Sequence, residues 1–333
     1  IDPDRLWDDL VALGTLTEPE RPWTRRSFTP TFVAGRAWLA QKFAAAGLQT
    51  RIDPAGNLIG RLAGPAPERA TIAIGSHSDT VPAGGRFDGI AGVVAGLEVA
   101  RAIAGSGHRL RHPLDVIDFL AEEPSAFGLS CIGSRGMSGR LDPEAVAMTD
   151  AAGRTLGAAL AEVGGDPDRT GAARRTDLAA FLELHIEQGP ILEAEGIDIG
   201  VVSAIVGIRR IEVRFDGQAA HAGTAPMHLR RDAGYAGALL LARIRERAEA
   251  FAAAGAGSFA ATVGIFELWP GGSNVVPGRC RLVIDVRSTD PATTDRFAAL
   301  IDADSAEAAA AARVERGGFT LLSDGVPAVC SPD

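Results

Sequence analysis

Cysteine is scarce in this chain. Cys131, Cys280 and Cys330 are the only three in 333 residues, scattered and without a CxxC pair. That excludes a disulfide-stapled scaffold and a thiolate zinc knuckle, and it fits a reducing, cytoplasmic setting. No uninterrupted apolar run reaches about 18 residues, so neither a transmembrane helix nor a membrane partner is expected. The N-terminus, Ile1-Asp2-Pro3-Asp4-Arg5, lacks the basic-then-apolar pattern of a signal peptide. It also lacks Met, so the chain is read as not beginning at the gene's start. Positive charge is in deficit: 33 Lys and Arg stand against 42 Asp and Glu, for a net charge of −9. A nucleic-acid partner needs a basic face and is not expected. Lysine occurs once, at Lys42. Gly271-Gly272-Ser273 therefore lacks the Gly-Lys-Ser/Thr ending of a phosphate loop. No internal repeat is present.

What the chain does have is ordinary globular content, 46% hydrophobic and 23% charged. Its length suggests about two domains. Helical stripes run over residues 6–11 and 31–46, the second stopping at Gly47. Short apolar runs at 57–62, 71–75, 114–120 and 178–184 read as strands, and the Gly/Ala-rich 89–104 reads as a helix. Strands alternating with helices predict an α/β layer sandwich with a largely parallel sheet over 1–207. The rhythm then changes. A half-exposed strand at 208–215, a helix over 228–253, strands at 260–268 and 280–288, a helix over 291–312 and a strand at 314–322 follow. This β-α-β-β-α-β order predicts a ferredoxin-like second domain over 208–325. Residues 326–333 then leave that domain and are read as the start of a further part of the first.

The chemistry gathers at strand ends. The 71–75 strand runs into Ser76-His77-Ser78-Asp79-Thr80. The 114–120 strand runs into Ala121-Glu122-Glu123, and the 178–184 strand into His185-Ile186-Glu187-Gln188-Gly189. Asp88 follows a Gly84-Gly85 loop just before the 89–104 helix. In an open α/β sheet the crevice lies outside the carboxyl ends of the strands. Histidine with carboxylate is a ligand set for Zn²⁺, Mn²⁺, Co²⁺ or Ni²⁺. Asp79, two residues beyond His77, faces the same way on an extended chain and is placed to accept the other imidazole N–H. Neighbouring Glu122 and Glu123 point to opposite sides, one for metal and one to take a proton from water. His108 and His112 lie in a polar connector and His228 beside Arg230-Arg231, so these three are read as peripheral.

These segments carry a resemblance. Gly75-Ser76-His77-Ser78-Asp79-Thr80-Val81, Gly84-Gly85-Arg86-Phe87-Asp88-Gly89, Ala121-Glu122-Glu123 and Leu184-His185-Ile186-Glu187-Gln188-Gly189-Pro190 belong to it. His221-Ala222-Gly223-Thr224-Ala225-Pro226-Met227 and Gly272-Ser273-Asn274-Val275-Val276-Pro277 complete it. The chain resembles the amidase/hydantoinase/carbamoylase branch of the M20 metallopeptidases, which includes N-carbamoyl-L-amino-acid and allantoate amidohydrolases. The resemblance implies a phosphorylase/hydrolase-like three-layer α/β/α catalytic domain with an inserted ferredoxin-like lid and dimerisation domain. It implies two divalent metal ions, one on His77 and His185, a second on Glu123, with Asp88 bridging. Glu122 is then the general base and Asp79 an orienting carboxylate. His221 is the oxyanion donor, reaching across a homodimer. Gln188, Asn274 and Arg287 bind the substrate, with Arg287 clamping an α-carboxylate. The implied reaction hydrolyses a linear C–N bond of a ureido carboxylate with metal-activated water, releasing ammonia and CO₂.

Two departures bear on these expectations. The family's Glu-Glu-Gly-Ser-Arg-Phe is Glu122-Glu123-Pro124-Ser125-Ala126-Phe127 here, which removes an Arg and stiffens the turn. The resemblance also implies a last metal-binding His from a downstream Gly-His-Asp segment, whereas the last of the six His is His228. The expectation is a C-terminally truncated chain, unstable or poorly active alone, whose second metal has only Asp88 and Glu123. An N-acyl-amino-acid hydrolase or peptidase, and a binding protein without turnover, are the competing readings.

Overall fold

A computed structural model describes all residues except 67, 256–257 and 332–333. The chain divides into two compact units, Ile1–Asp198 and Ile199–Asp333.

The first unit opens with α1 (Pro3–Gly14) and α2 (Pro30–Ala45), then β1 (Gln49–Ile52), β2 (Leu58–Leu62) and β3 (Thr71–His77). Helix α3 (Ile90–Gly105) and β4 (Leu114–Phe119) follow. The short helices α4 (Ile132–Ser138), α5 (Pro143–Ala147) and α6 (Leu156–Glu162), then β5 (Leu178–Leu182) and α7 (Ile191–Glu195), complete it. Asp2 and Thr29 accept N-terminal N–H groups of α1 and α2, each followed by a Pro that needs no donor there.

The sheet order is β1-β2-β4-β3-β5. It is mixed rather than largely parallel: β3 runs parallel to β4 and β5, while β2 is antiparallel to β1 and β4. The tight connection between β1 and β2 is the physical reason for the first of these antiparallel pairs, since a parallel pair needs a crossover of a dozen residues or more. One face packs Leu58, Leu114 and Val116 against Leu13, Leu39, Phe43, Val93 and Leu97 of α1, α2 and α3. On the other, Ile59, Ala73, Ile117 and Phe119 meet Met137 of α4. Because β3 is parallel to both neighbours, their carboxyl ends share one edge.

The second unit contains β6 (Ala204–Ile205), β7 (Gly207–Asp216), β8 (Ala220–His221), α8 (Ala233–Ala253) and β9 (Phe259–Trp269). It continues with β10 (Val275–Val276), β11 (Arg279–Ser288), α9 (Pro291–Ala312), β12 (Glu315–Asp324) and β13 (Ala328–Val329). Four strands form an antiparallel sheet in the order β12-β7-β11-β9, that of a split β-α-β fold. Alternation sets its faces: Ile211, Val213 and Phe215 of β7 and Leu282, Ile284 and Val286 of β11 point inward onto Leu240, Ile244, Phe297 and Ile301. Helix α8 starts at Ala233 rather than near His228, because Asp232 caps it and Met227–Leu229 form a separate 3-10 turn. Residues 326–333 are accounted for in part: β13 pairs with β6, so the outgoing chain lies beside the incoming one. Among the described residues no helix is long and apolar enough to cross a membrane.

Candidate metal centre

His77 is the last residue of β3 and is 2% exposed. Its Nδ1 lies 2.9 Å from the Asp79 carbonyl oxygen, which turns Nε2 outward. His185, three residues beyond β5, is held likewise, with Nδ1 2.9 Å from the Ile186 carbonyl. The two Nε2 atoms stand 3.4 Å apart, and His185 Nε2 is 3.3 Å from Asp88 Oδ1. Asp88 is buried, and Gln188 Nε2 donates to its two oxygens at 3.0 and 3.1 Å. Ligand atoms of His77, Asp88 and His185 all lie within 4.8 Å of one another.

Asp79 is fully buried. Its carboxylate is 3.6 Å from His77 Nδ1, farther than the main-chain oxygen, and it accepts the N–H groups of Glu122 and Glu123 at 3.2 Å each. The anticipated imidazole partner is thus the Asp79 carbonyl, and the carboxylate instead fixes the Glu-Glu turn. That turn is not extended chain, because Ala121 before it has φ 48°. A non-glycine residue there is strained, as at many functional sites. Glu122 Oε2 reaches to 3.7 Å from His77 Nε2, and Cys131 Sγ donates to its other oxygen at 3.5 Å.

Electrostatics test whether a cation fits. Burial alone would lower the His77 pKa, but the Asp79 hydrogen bond and the charges of Asp79 and Glu122 push it up to about 10. Burial and then the charge of Glu122, with Asp88 and Asp79, push Glu123 up to about 7. The carboxylates around His77 favour added positive charge there, and at Glu123 they add to the effect of burial. Two imidazole nitrogens aimed at one point beside a carboxylate are a donor set for a divalent cation, so His77, Asp88 and His185 fit one. Glu123 lies outside that group of three.

The other anticipated residues are in the second unit. His221 pairs across β8 and β10 with Val275, and Asn274 beside it accepts the Ala222 N–H at 2.9 Å. Arg287 is exposed on β11, and its Nε donates to Asp285 at 2.7 Å. The motifs pointed to neither Cys131 nor the buried Arg25, whose partners are main-chain atoms distant in sequence.

A histidine and carboxylate cluster at the carboxyl edge of an α/β sheet, with the Glu122 carboxylate beside it, has the make-up of a metallohydrolase centre. Residues 73–328 match Peptidase family M20/M25/M40, and the chain belongs to that family. It is 39% identical to an N-carbamoyl-L-amino acid amidohydrolase of Geobacillus stearothermophilus, over 99% of this chain and 80% of the relative. It is 34% identical to a ureidoglycolate hydrolase of Arabidopsis thaliana, over 99% of this chain and 70% of that protein. A crystal structure of a hydantoinase/carbamoylase-family amidase from Burkholderia multivorans superposes with a TM-score of 0.86 at 35% identity, covering 100% of this chain and 80% of that one.

Proposed function

We propose that this protein is an amidohydrolase that cleaves the C–N bond of a ureido (N-carbamoyl) compound carrying a carboxylate. The observation that carries the reading is the His77, Asp88 and His185 donor set with Glu122 at 3.7 Å from His77 Nε2. The carbamoyl and ureido substrates named for its relatives support the substrate class. When bound, a divalent cation supplies Lewis-acid polarisation of a carbonyl and of an attacking water. Zn²⁺ and Mn²⁺ suit the donors, and Glu123 with Asp88 would hold a second ion. Glu122 Oε2 takes the proton of the attacking water and passes it to the leaving nitrogen. Asp79 keeps the Glu122–Glu123 turn and His77 in place. Gln188, Asn274 and Arg287 bind substrate, Arg287 by its α-carboxylate. His221 stabilises the oxyanion from a second copy of the chain.

Residues 208–325 act as lid and dimerisation module in this reading. Two observations support it. Ile208 and Gly325 exchange backbone hydrogen bonds of 3.1 and 2.9 Å, so the module joins the chain at one narrow point. Edge strand β9 leaves Ile265 and Trp269 exposed on the face away from α8, and its unpaired edge is suited to a second copy.

The test is ammonia release from N-carbamoyl-L-amino acids, ureidoglycolate and allantoate by protein loaded with Zn²⁺ or Mn²⁺. Glu122→Gln should lose turnover by orders of magnitude yet keep its metal. Hydrolysis of N-acyl amino acids or dipeptides, with no ammonia from carbamoyl substrates, would refute the assignment.

A further inference from the structure

Arg25 stands between α1 and α2, only 3% exposed. Its Nε donates to the Ser78 carbonyl at 2.7 Å. Its main-chain N–H donates to Thr80 Oγ1 at 2.8 Å, and its carbonyl accepts the Thr80 N–H at 3.1 Å. Nη1 donates to the carbonyls of Leu13 and Leu16 at 2.9 and 2.7 Å. One side chain therefore ties the end of α1 to the segment leaving β3. Ser78 and Thr80 are the two neighbours of Asp79. Asp79 in turn presents its carbonyl to His77 and its carboxylate to the Glu122 and Glu123 N–H groups.

We propose that Arg25 is a positioning residue of the metal centre, its guanidinium holding the Ser78 carbonyl and its main chain holding Thr80, so that the two neighbours of Asp79 are fixed and the His77 imidazole and the Glu122–Glu123 turn are aimed. The inference rests on reading that cluster as a metal site. The geometry is specific to a guanidinium. Its Nε and Nη1 diverge to carbonyls on two separate elements, which the single nitrogen of a lysine cannot reproduce. Packing holds the stem as well: a Cβ on Gly35 of α2 would stand 2.9 Å from Arg25 Cδ. Charge is consistent too. Asp79 and Asp118 are both fully buried, and the buried cations Arg25 and Arg36 each interact electrostatically with both. Partners of this kind fix the ligand's orientation, and their loss commonly weakens metal affinity about 10–100-fold.

The experiment is a Co²⁺ titration of the full chain, read by calorimetry and by the visible ligand-field spectrum. It compares the parent with Arg25→Lys and with Thr80→Val, which removes the hydroxyl while nearly keeping its shape. We expect Arg25→Lys to bind Co²⁺ about 10–100-fold more weakly with a displaced visible band, and Thr80→Val to lose severalfold. Folding is checked by circular dichroism of the metal-free proteins, and if Arg25→Lys does not fold, Thr80→Val decides whether the segment carrying Arg25 positions Asp79 through its main chain. Folded variants with lowered melting temperatures but parental Co²⁺ affinity and spectrum would overturn the clamp and leave Arg25 a fastener of the core. Absence of Co²⁺ binding by the parent would overturn the metal reading itself, and the clamp with it.

Discussion

Three glycines of α3 set two physical effects against each other. Replacing a glycine in a helix by alanine gains up to about 1 kcal/mol from propensity alone. At Gly92 the new methyl would stand 2.2 Å from the Leu184 carbonyl oxygen and 2.7 Å from Ser76 Cβ. Roughly 1 Å of movement is needed to restore van der Waals separation, and the nearer atom is backbone that cannot rotate away. Overpacking of this kind costs about 1–3 kcal/mol, so Gly92→Ala should be destabilised despite its propensity gain. At Gly96 the contacts are side-chain methyls of Ile74 and Val116 at 3.0 and 3.2 Å, which yield more easily, so Gly96→Ala should lie near neutral. At Gly105 nothing lies within 4 Å, and Gly105→Ala should be neutral or stabilised. Thermal unfolding of the metal-free proteins orders them, at about 2–4 °C per kcal/mol for a unit the size of Ile1–Asp198. Leu184 also precedes His185, so the displacement at Gly92 should weaken metal binding, whereas the other two substitutions leave it intact. If Gly92→Ala melts at or above the parent, the close approach of α3 to this segment is refuted.

Asp118 is pushed up to about 6, chiefly by burial and against the pull of Arg36. A raised carboxyl pKa favours the folded state at low pH. Its contribution is complete below about 4 and is lost as pH rises through 6, amounting to about 3 kcal/mol. Urea unfolding of the parent and Asp118→Asn between pH 4 and 7 should show that difference, and a pH-independent gap would contradict it. Metal binding should release protons, because His77 at about 10 and Glu123 at about 7 hold them in the metal-free site. Calorimetry in buffers of different ionisation heat should show more protons released at pH 6 than at pH 8, with affinity rising with pH. Burial and the charge of Glu122 push Cys131 up to about 11, and burial pushes Cys280 up to about 12, while Cys330 is exposed. A thiol reagent at pH 8 should therefore modify one equivalent quickly and the other two only on unfolding.

What the sequence revealed follows the physics of its signals. Strands β3, β4, β7 and β11 bury alternate or continuous apolar residues, and their periodicity is visible without a structure. Strand β1, Gln49–Ile52, is exposed at every position, so burial left no mark on it. Helix α4, Ile132–Ser138, carries Gly133 and Gly136 and reads as loop by propensity, though tight packing against Asn57 and Ala55 demands those glycines. Strand direction is not written in apolar spacing at all, hence the mixed sheet. In the site, His77, Asp88 and His185 were legible because each stands at a strand or loop end in a recognisable string of residues. Arg25 was not, because it bonds to carbonyls, and every residue type presents the same carbonyl.

The pairing of β6 with β13 has a mechanical consequence. Ala204–Ile205 and Ala328–Val329 lie hydrogen-bonded side by side, so more than a hundred residues begin and end within one strand spacing. Closing a free loop of that length would cost about 4 kcal/mol in chain entropy, but here the folded second unit has already brought its own ends together. To the flanking chain the whole unit counts as a tight hairpin turn. It could be grafted or exchanged as a cassette with little entropic penalty, and force applied at its two ends would act on that short ladder before it reached the four-stranded sheet.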